Sequence, residues 1–142
     1  MLGLQFIRPC IALFLVAALL VAAQCNCTAK QGSKTIGNSY NATQSTAAVN
    51  EAKRLDAANQ QVGFKVKNPY PHYFGNGEGL AFTGTGCAKP NLREFPILVS
   101  SLYSNSSKTQ GADRVVYTKT GTFCGCMTHT GAPSASSFVL CH

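Results

Sequence analysis

The chain has 142 residues and a formal net charge of +7 at pH 7. A chain of this length can form one modest core, which excludes a second sizeable domain. The basic surplus favours a polyanionic partner such as nucleic acid, phospholipid or acidic glycan. A basic surface that serves only solubility would carry the same charge, so the charge alone does not select a function.

The first 23 residues have the pattern of a secretory signal peptide. Arg8 precedes an apolar run from Cys10 to Ala23, and small residues stand where signal peptidase reads the chain. A membrane anchor is the alternative, but a span needs about 20 apolar residues and this run is shorter. We expect residues 1–23 to be removed and residues 24–142 to form one extracellular domain without membrane attachment.

Six cysteines remain after removal of Cys10, and an even number in an oxidising compartment predicts three disulfides. They are Cys25, Cys27, Cys87, Cys124, Cys126 and Cys141. Glycosylation sequons at Asn26, Asn41 and Asn105 agree with secretion but are short enough to occur by chance.

One segment predicts a helix. Residues 43–60 are rich in alanine, lack proline and glycine, and place three apolar residues on one stripe. The stripe consists of Ala48, Ala52 and Leu55. Thr43 or Ser45 is the expected N-cap.

After Gly63 the sequence predicts antiparallel strands, because short β-branched or aromatic runs alternate with glycine, asparagine, serine or lysine clusters. The runs are REFPILVSSLY, DRVVYT, GTFCGCMTHT and SSFVLC. YTKTGTF joins two of them as a hairpin, with Gly121 able to take a positive φ. The chain therefore predicts an α+β fold, in which one helix packs on a twisted antiparallel sheet in a small, monomeric, disulfide-bonded domain.

Side-chain alternation along these strands predicts a site on the sheet face away from the helix. If the cysteines and Val115 face the helix, then Glu94, Arg114 and His129 look outward together. A carboxylate, a guanidinium and an imidazole are the groups that metal-free cleavage of a ribose phosphodiester requires: a base, a phosphate clamp and an acid. These residue types also occur together by chance, so the constellation needs further support.

Five motifs follow one another in the second half of the chain. They are Tyr70-Pro-His72, Glu78-Gly79, Glu94-Phe-Pro-Ile97, Gly111-Ala-Asp-Arg114-Val-Val-Tyr117 and Met127-Thr-His129-Thr-Gly-Ala132, followed by Phe138 and Cys141. In order and spacing the chain resembles the secreted fungal guanyl-specific ribonucleases, the T-one type, from about residue 40 to its end. The resemblance implies an endoribonuclease that cleaves single-stranded RNA after guanosine through a 2′,3′-cyclic phosphate, without metal or cofactor and without action on DNA.

The resemblance also implies residue roles in catalysis. Glu94 takes the place of the general base and His129 that of the general acid, while His72 assists the base and stabilises charge when protonated. Tyr70 and Arg114 match residues that contact the phosphate.

The loop after Tyr70-Pro-His72 matches the guanine site of the family. Phe74 takes the place of an aromatic that stacks on the base, and Glu78 that of a carboxylate that accepts hydrogen bonds from guanine N1 and the exocyclic amine. The backbone of Gly75, Asn76 and Gly77 completes the site. The two glycines replace an asparagine and a second stacking tyrosine; base stacking contributes about 1–3 kcal/mol, so we expect weaker guanine binding and looser discrimination from adenine.

A third aromatic residue, Phe138, matches a ring that packs against the transition state. Ordinary core packing is the alternative interpretation for Phe138 and for Tyr70.

Disulfide pairing is also implied by the resemblance, here to the related ribotoxins and purine-preferring members. Cys87 and Cys124 match a bonded pair, and Cys141 is expected to pair with Cys27 or Cys25. The N-terminal cysteine that does not pair with Cys141 is then left to pair with Cys126.

A zinc site is an alternative use of the cysteines, because Cys124, Cys126 and His129 loosely resemble a zinc-ligand spacing. Strand alternation places His129 on the face opposite both cysteines. We therefore expect no metal site.

Two other functions remain open at this level. One is a ribonuclease-fold effector that binds RNA or a host protein without cutting, although every matched active-site position is present. The other is a ribotoxin, which the TFCG and LCH segments resemble. Ribotoxins depend on long lysine-rich loops, whereas only 13 residues, two of them basic, separate Leu80 from Glu94.

Overall fold

The computed structural model describes residues 24–63 and 67–142. The predicted signal peptide lies outside the described residues. The elements in chain order are β1 Cys25–Gln31, β2 Lys34–Tyr40, α1 Ala42–Ala57, β3 His72–Tyr73, β4 Leu92–Pro96, β5 Asp113–Thr118, β6 Phe123–Thr128 and β7 Val139–Leu140. Among these residues, no helix has the length and apolar character that a membrane crossing needs.

The five strands from β3 to β7 form one antiparallel sheet in chain order, and β1 pairs with β2 in a separate two-stranded sheet. The predicted α+β class is confirmed. The hairpin between β5 and β6 also lies where it was expected, and Gly121 in it has a φ of 91°. This left-handed conformation carries little steric cost only for glycine.

Helix α1 begins at a different cap from the one expected. Asn41, not Thr43 or Ser45, is the N-cap: its side chain accepts the Gln44 N–H at 2.9 Å, and Gln44 Oε1 accepts the Asn41 N–H at 2.9 Å. This reciprocal capping box satisfies two backbone donors at once. Ser45 is instead buried in the core.

The helix also ends earlier than predicted, at Ala57. Asn59 takes a φ of 54°, and the N–H groups of Asn59 and Gln60 donate to the carbonyls of Asp56 and Leu55. This pattern is a Schellman ending, with asparagine at the left-handed position that glycine usually occupies.

The sheet has an apolar cluster on each face. On the helix side, Leu55 and Ala52 pack with Val115 and Tyr117. On the opposite side, Val116 belongs to a second cluster with Phe74, Leu92 and Met127. The alternation along β5 therefore places Arg114 and Val116 on the outer face, together with Glu94, which pairs with Val116 across β4 and β5.

The β1–β2 hairpin was not predicted. Its strands are mostly polar and exposed, so they lack the apolar alternation that marks a strand. Two disulfides, Cys25–Cys126 and Cys27–Cys141, fasten β1 to the main sheet and the C-terminus, and Asn26 and His142 exchange both backbone hydrogen bonds. The third disulfide, Cys87–Cys124, joins the long loop before β4 to β6.

Candidate active site

The strand register brings the predicted catalytic side chains to one face. His72 on β3 lies opposite Glu94 on β4, and Pro96 on β4 lies opposite Arg114 on β5. His129 directly follows β6 and continues the pairing, because its N–H donates to the Ala112 carbonyl at 3.0 Å.

His72 and Glu94 form a close pair. His72 Nε2 lies 2.9 Å from Glu94 Oε1, and its Nδ1 lies 2.9 Å from the Pro69 carbonyl oxygen. A carbonyl can only accept, so Nδ1 is the protonated nitrogen in either charge state. Burial disfavours the imidazolium, but the hydrogen bonds to Glu94 and Pro69 outweigh it, and the pKa of His72 is raised above its ordinary value.

The second carboxylate oxygen of Glu94 is buried and faces a cation. Among the described residues Glu94 Oε2 has no hydrogen-bond partner, and Arg114 Nε lies 3.6 Å from it. Glu94 as a whole is 7% exposed. An unpaired oxygen of a buried carboxylate is a costly feature and is suited to accept a proton from a ligand.

Arg114 is held on three sides. Its Nη1 donates to the carbonyl oxygens of Gln110, Gly111 and Asp113 at 3.2, 3.0 and 2.9 Å. Its Nε donates to the Tyr70 hydroxyl at 3.2 Å, and the guanidinium lies 5.2 Å from the Tyr70 ring centroid. With 1% exposure, Arg114 is a fixed positive charge, because its contacts leave it one orientation.

Tyr70 contacts both His72 and Arg114. Its ring stacks on His72 with centroids 4.5 Å apart. Burial raises the pKa of Tyr70 against the opposing effect of the Arg114 charge. The hydroxyl therefore stays protonated at neutral pH, and because it accepts from Arg114, its own hydrogen is free to donate.

His129 is oriented by the segment before β7. Its Nδ1 lies 2.7 Å from the Ser137 carbonyl oxygen, and its ring stacks on Phe138 with centroids 3.9 Å apart. Nδ1 is thus the donor to Ser137, which leaves Nε2 for a ligand. Phe138 also lies 5.9 Å from the Arg114 guanidinium, so the ring bridges the cation and the second histidine.

These side chains surround one open cavity of about 230 Å³. The six predicted catalytic residues all line it, and three residues that the sequence did not single out line it too. The latter are Lys67, Asn68 and Gln110. Each stands within three residues of a motif, and this adjacency is the signal that would have found them. Gln110 Oε1 is buried without a partner among the described residues.

The predicted guanine loop lies beside this cavity. Asn76 has a φ of 44°, and its side chain closes the loop by accepting from Leu80 N at 2.7 Å and donating to Leu80 O at 2.9 Å. Gly75 and Gly77 are exposed. Glu78 is exposed as well, and its Oε1 accepts the Phe138 N–H at 3.1 Å.

Phe74 differs from the exposed platform that base stacking suggests. It is 5% exposed, and its ring meets Phe82 and Phe138 edge to face at 6.1 and 6.0 Å. The residue contributes to the core of the outer face, and contact with a base stays a prediction.

The zinc-like spacing is used for other bonds. Cys124 and Cys126 are in disulfides with Cys87 and Cys25. Within residues 24–63 and 67–142, no group of three or more histidine, cysteine, aspartate or glutamate side chains could hold a metal ion.

The fold and the cavity define the class of the protein as a small, disulfide-bonded ribonuclease, and comparison with known proteins agrees. The ribonuclease family model matches residues 26–142. Guanyl-specific ribonuclease U1 of Ustilago sphaerogena is 42% identical over 107 residues, which cover 74% of this chain and 90% of the relative. The chain belongs to this ribonuclease family.

Two solved structures share the fold. The ribonuclease He1 from Hericium erinaceus matches with a TM-score of 0.50 and 29% identity, covering 84% of this chain and 98% of that one. The Aspergillus ribotoxin restrictocin matches with a TM-score of 0.56 and 20% identity, covering 84% and 99%. At that identity the second likeness concerns the fold alone.

Proposed function

We propose that the protein is a secreted, metal-independent endoribonuclease that cleaves single-stranded RNA 3′ of guanosine, first to a 2′,3′-cyclic phosphate and then by hydrolysis. The observation that carries the proposal is the placement of the Glu94–His72 pair and of His129 around one cavity, with the buried Arg114 beside Glu94 and over the Phe138 ring. The guanyl-specific activity of the Ustilago relative supports the base preference.

In the first step Glu94 acts as the base. Its Oε1 is occupied by His72, so the otherwise unpaired Oε2 accepts the 2′-hydroxyl proton. The 2′-oxygen then attacks phosphorus, and negative charge grows on the phosphate oxygens. Arg114 and the free Tyr70 hydroxyl hydrogen stabilise that charge, and because they are already fixed, no reorganisation is needed during the reaction.

His129 acts as the acid in the same step. Its Nδ1–H is fixed on Ser137, so the imidazolium delivers the proton on Nε2 to the departing 5′-oxygen as the P–O5′ bond breaks. In the second step the neutral Nε2 accepts a proton from water, the water oxygen attacks phosphorus, and the 2′-oxygen leaves with the proton that Glu94 returns. Phe138 shields the reacting phosphate by packing against His129 and Arg114.

Base selection is assigned to the loop of residues 74–78. The Glu78 carboxylate accepts from guanine N1–H and the exocyclic amine, and adenine presents no equivalent pair of donors. Gly75 and Gly77 offer backbone amides but no stacking ring, so the preference for guanosine over adenosine is weaker than a second aromatic would give.

Initial rates on the dinucleotides GpC and ApC, measured in EDTA, test the proposal. We expect the wild type to cleave GpC faster than ApC, and the His129→Gln variant to be slower on both by about 10²- to 10⁴-fold. A requirement for added zinc or magnesium would overturn the metal-independent mechanism. If the folded wild type cleaves neither dinucleotide but still binds RNA, the non-cutting effector is the correct interpretation.

The ribotoxin alternative is not favoured. The likeness to restrictocin concerns the fold, and the segment between Leu80 and Glu94 is short with two basic residues. Secretion itself is tested by following the full chain in a fungal host, where the protein in the medium should begin near Gln24.

A further inference from the structure

One hydrogen bond joins the predicted guanine loop to the catalytic face. Glu78 Oε1 accepts the backbone N–H of Phe138 at 3.1 Å, across 60 positions of sequence. The same Phe138 ring stacks on His129. Glu78, which is assigned to guanine recognition, therefore also contacts the segment that orients His129, the proposed catalytic acid.

The contact involves a single peptide group. The carbonyl of Ser137 and the N–H of Phe138 belong to the same amide, and the carbonyl oxygen accepts from His129 Nδ1 at 2.7 Å. Hydrogen bonds at the two ends of one amide polarise each other. A carboxylate that accepts from the N–H makes the carbonyl oxygen a stronger acceptor, and this holds the imidazole in the orientation that leaves Nε2 for the substrate.

We infer that Glu78 is a positioning residue for His129, acting through the Ser137–Phe138 peptide group, as well as a base-recognition residue. The inference rests on the proposed function, in which His129 is the acid. Each carboxylate oxygen can accept more than one hydrogen bond, so the carboxylate can accept from guanine while its Oε1 still accepts the Phe138 N–H. A base bound there fixes the carboxylate against Phe138. Correct base recognition therefore raises kcat and not only the affinity for RNA.

A substrate without a base separates the two roles. The probe is a dinucleotide whose 5′ residue is an abasic ribose joined to cytidine, cleaved under single-turnover conditions. Glu78→Ala should slow the maximal rate about fivefold, the typical effect of one lost hydrogen bond, although this substrate has no base to recognise. Glu78→Gln should restore that rate because its amide oxygen still accepts from Phe138, while the preference for GpC over ApC stays lost.

A double variant identifies the route. In the His129→Gln background, Glu78→Ala should slow the abasic substrate no further, because the residue through which it acts is already gone. Glu51→Ala is the matched control, since Glu51 is an acid of α1 that pairs with Arg54 and does not line the site cavity, and it should leave all rates unchanged.

Two results would overturn the inference while the proposed function stands. In the first, Glu78→Ala lowers the guanosine preference but cleaves the abasic substrate at the wild-type rate. In the second, Glu78→Ala slows the His129→Gln variant by the full factor, so that the effect does not pass through His129. Failure of the proposed function gives a different outcome, in which the wild type itself cleaves neither GpC nor the abasic substrate.

Discussion

His72 and Glu94 lie directly opposite each other on β3 and β4, and their side chains meet at 2.9 Å on the outer face of the sheet. β3 has only two residues and therefore only two residue pairs with β4, and the His72–Glu94 contact belongs to one of them. Tyr70 stacks on the same imidazole and accepts from Arg114. The pair is therefore part of the sheet edge and part of the site at once.

The first prediction concerns the division of labour within this pair. A proton-transfer residue contributes about 10²- to 10⁴-fold to the rate. Glu94→Gln should lower kcat/KM on GpC by a smaller factor, because His72 lies close enough to act as the catalytic base in place of Glu94. The double change Glu94→Gln with His72→Gln should remove the remaining activity. If the double variant is no slower than Glu94→Gln alone, His72 does not act as a substitute base.

The second prediction concerns stability and pH. Burial lowers the pKa of His72 in the folded state, but the hydrogen bonds to Glu94 and Pro69 raise it by more, so the net shift is upward. The folded protein therefore keeps a proton that the unfolded chain releases near the ordinary value of about 6.5. The pair stabilises the fold fully below that value and loses the contribution as the pH rises through the raised folded-state pKa.

Urea denaturation of wild type and His72→Gln from about pH 5 to pH 9 measures this effect. The free-energy difference between the two proteins should be largest at the acidic end and shrink as the pH rises. A difference that grows with pH would mean that His72 is held neutral in the folded protein.

Local sequence signals predicted much of this fold. Alanine-rich residues 43–60 formed the helix, and the β-branched runs after Gly63 formed the main sheet. The predicted helix ends were wrong by one residue at the start and three at the end. Asn41, not Thr43 or Ser45, caps the first turn, and the left-handed Asn59 ends the helix before the alanine-rich run is over. The β1–β2 hairpin was missed because disulfides and the C-terminal His142 hold it, and those contacts are distant in sequence.

The site, like the fold, was predicted in part from the sequence. Motif order predicted the six catalytic side chains that line the cavity, since their motifs lie on or next to strands of the main sheet. It did not predict that Gln110 would enter the cavity or that Phe74 would be buried. The burial of Phe74 depends on how loops pack across the sheet, and no pattern along one strand encodes that packing. Gln110 could have been found from its place directly before the motif that begins at Gly111.

The third prediction concerns the two disulfides of β1. With Cys25–Cys126 intact, the loop that Cys27–Cys141 closes is short, two residues along β1 and fifteen from Cys126 to Cys141. A disulfide that closes a loop of this size stabilises the folded protein by about 3 kcal/mol, whereas one that closes a loop near 100 residues contributes about 4.7 kcal/mol. Replacing either pair by alanine should therefore cost less than its sequence separation suggests.

Removing both pairs should cost more than the sum of the single removals, because the second removal frees a much longer loop. With Cys87–Cys124 intact, Cys25–Cys126 alone still closes 62 residues from Cys25 to Cys87 and two from Cys124 to Cys126. Urea midpoints of the oxidised variants measure this. The control is replacement of Cys87 and Cys124, because neither β1 disulfide shortens their loop of 37 positions. The cost of this replacement should change little when one β1 pair is removed. Strict additivity of the two β1 pairs would contradict the argument.

The fourth prediction concerns Arg114, which is buried and donates to three carbonyls and to Tyr70. Lysine keeps the charge but lacks the planar array of donors that makes these contacts. Arg114→Lys should lower kcat/KM on GpC by about 10²- to 10³-fold, the range for loss of a preorganised donor. It should also destabilise the fold by about 1–3 kcal/mol, because buried carbonyls lose their donors.

Arg93→Lys is the matched control for that change. Arg93 stands on the neighbouring strand but faces the helix, where its guanidinium donates to both oxygens of Asp56 at 2.8 and 2.5 Å. Its replacement should reduce the urea midpoint while leaving kcat/KM of the folded enzyme near the wild-type value. If both variants lose activity in proportion to their stability, Arg114 serves the fold alone. A loss of rate in Arg114→Lys that exceeds its loss of folded protein, with none in Arg93→Lys, assigns the guanidinium to the reacting phosphate.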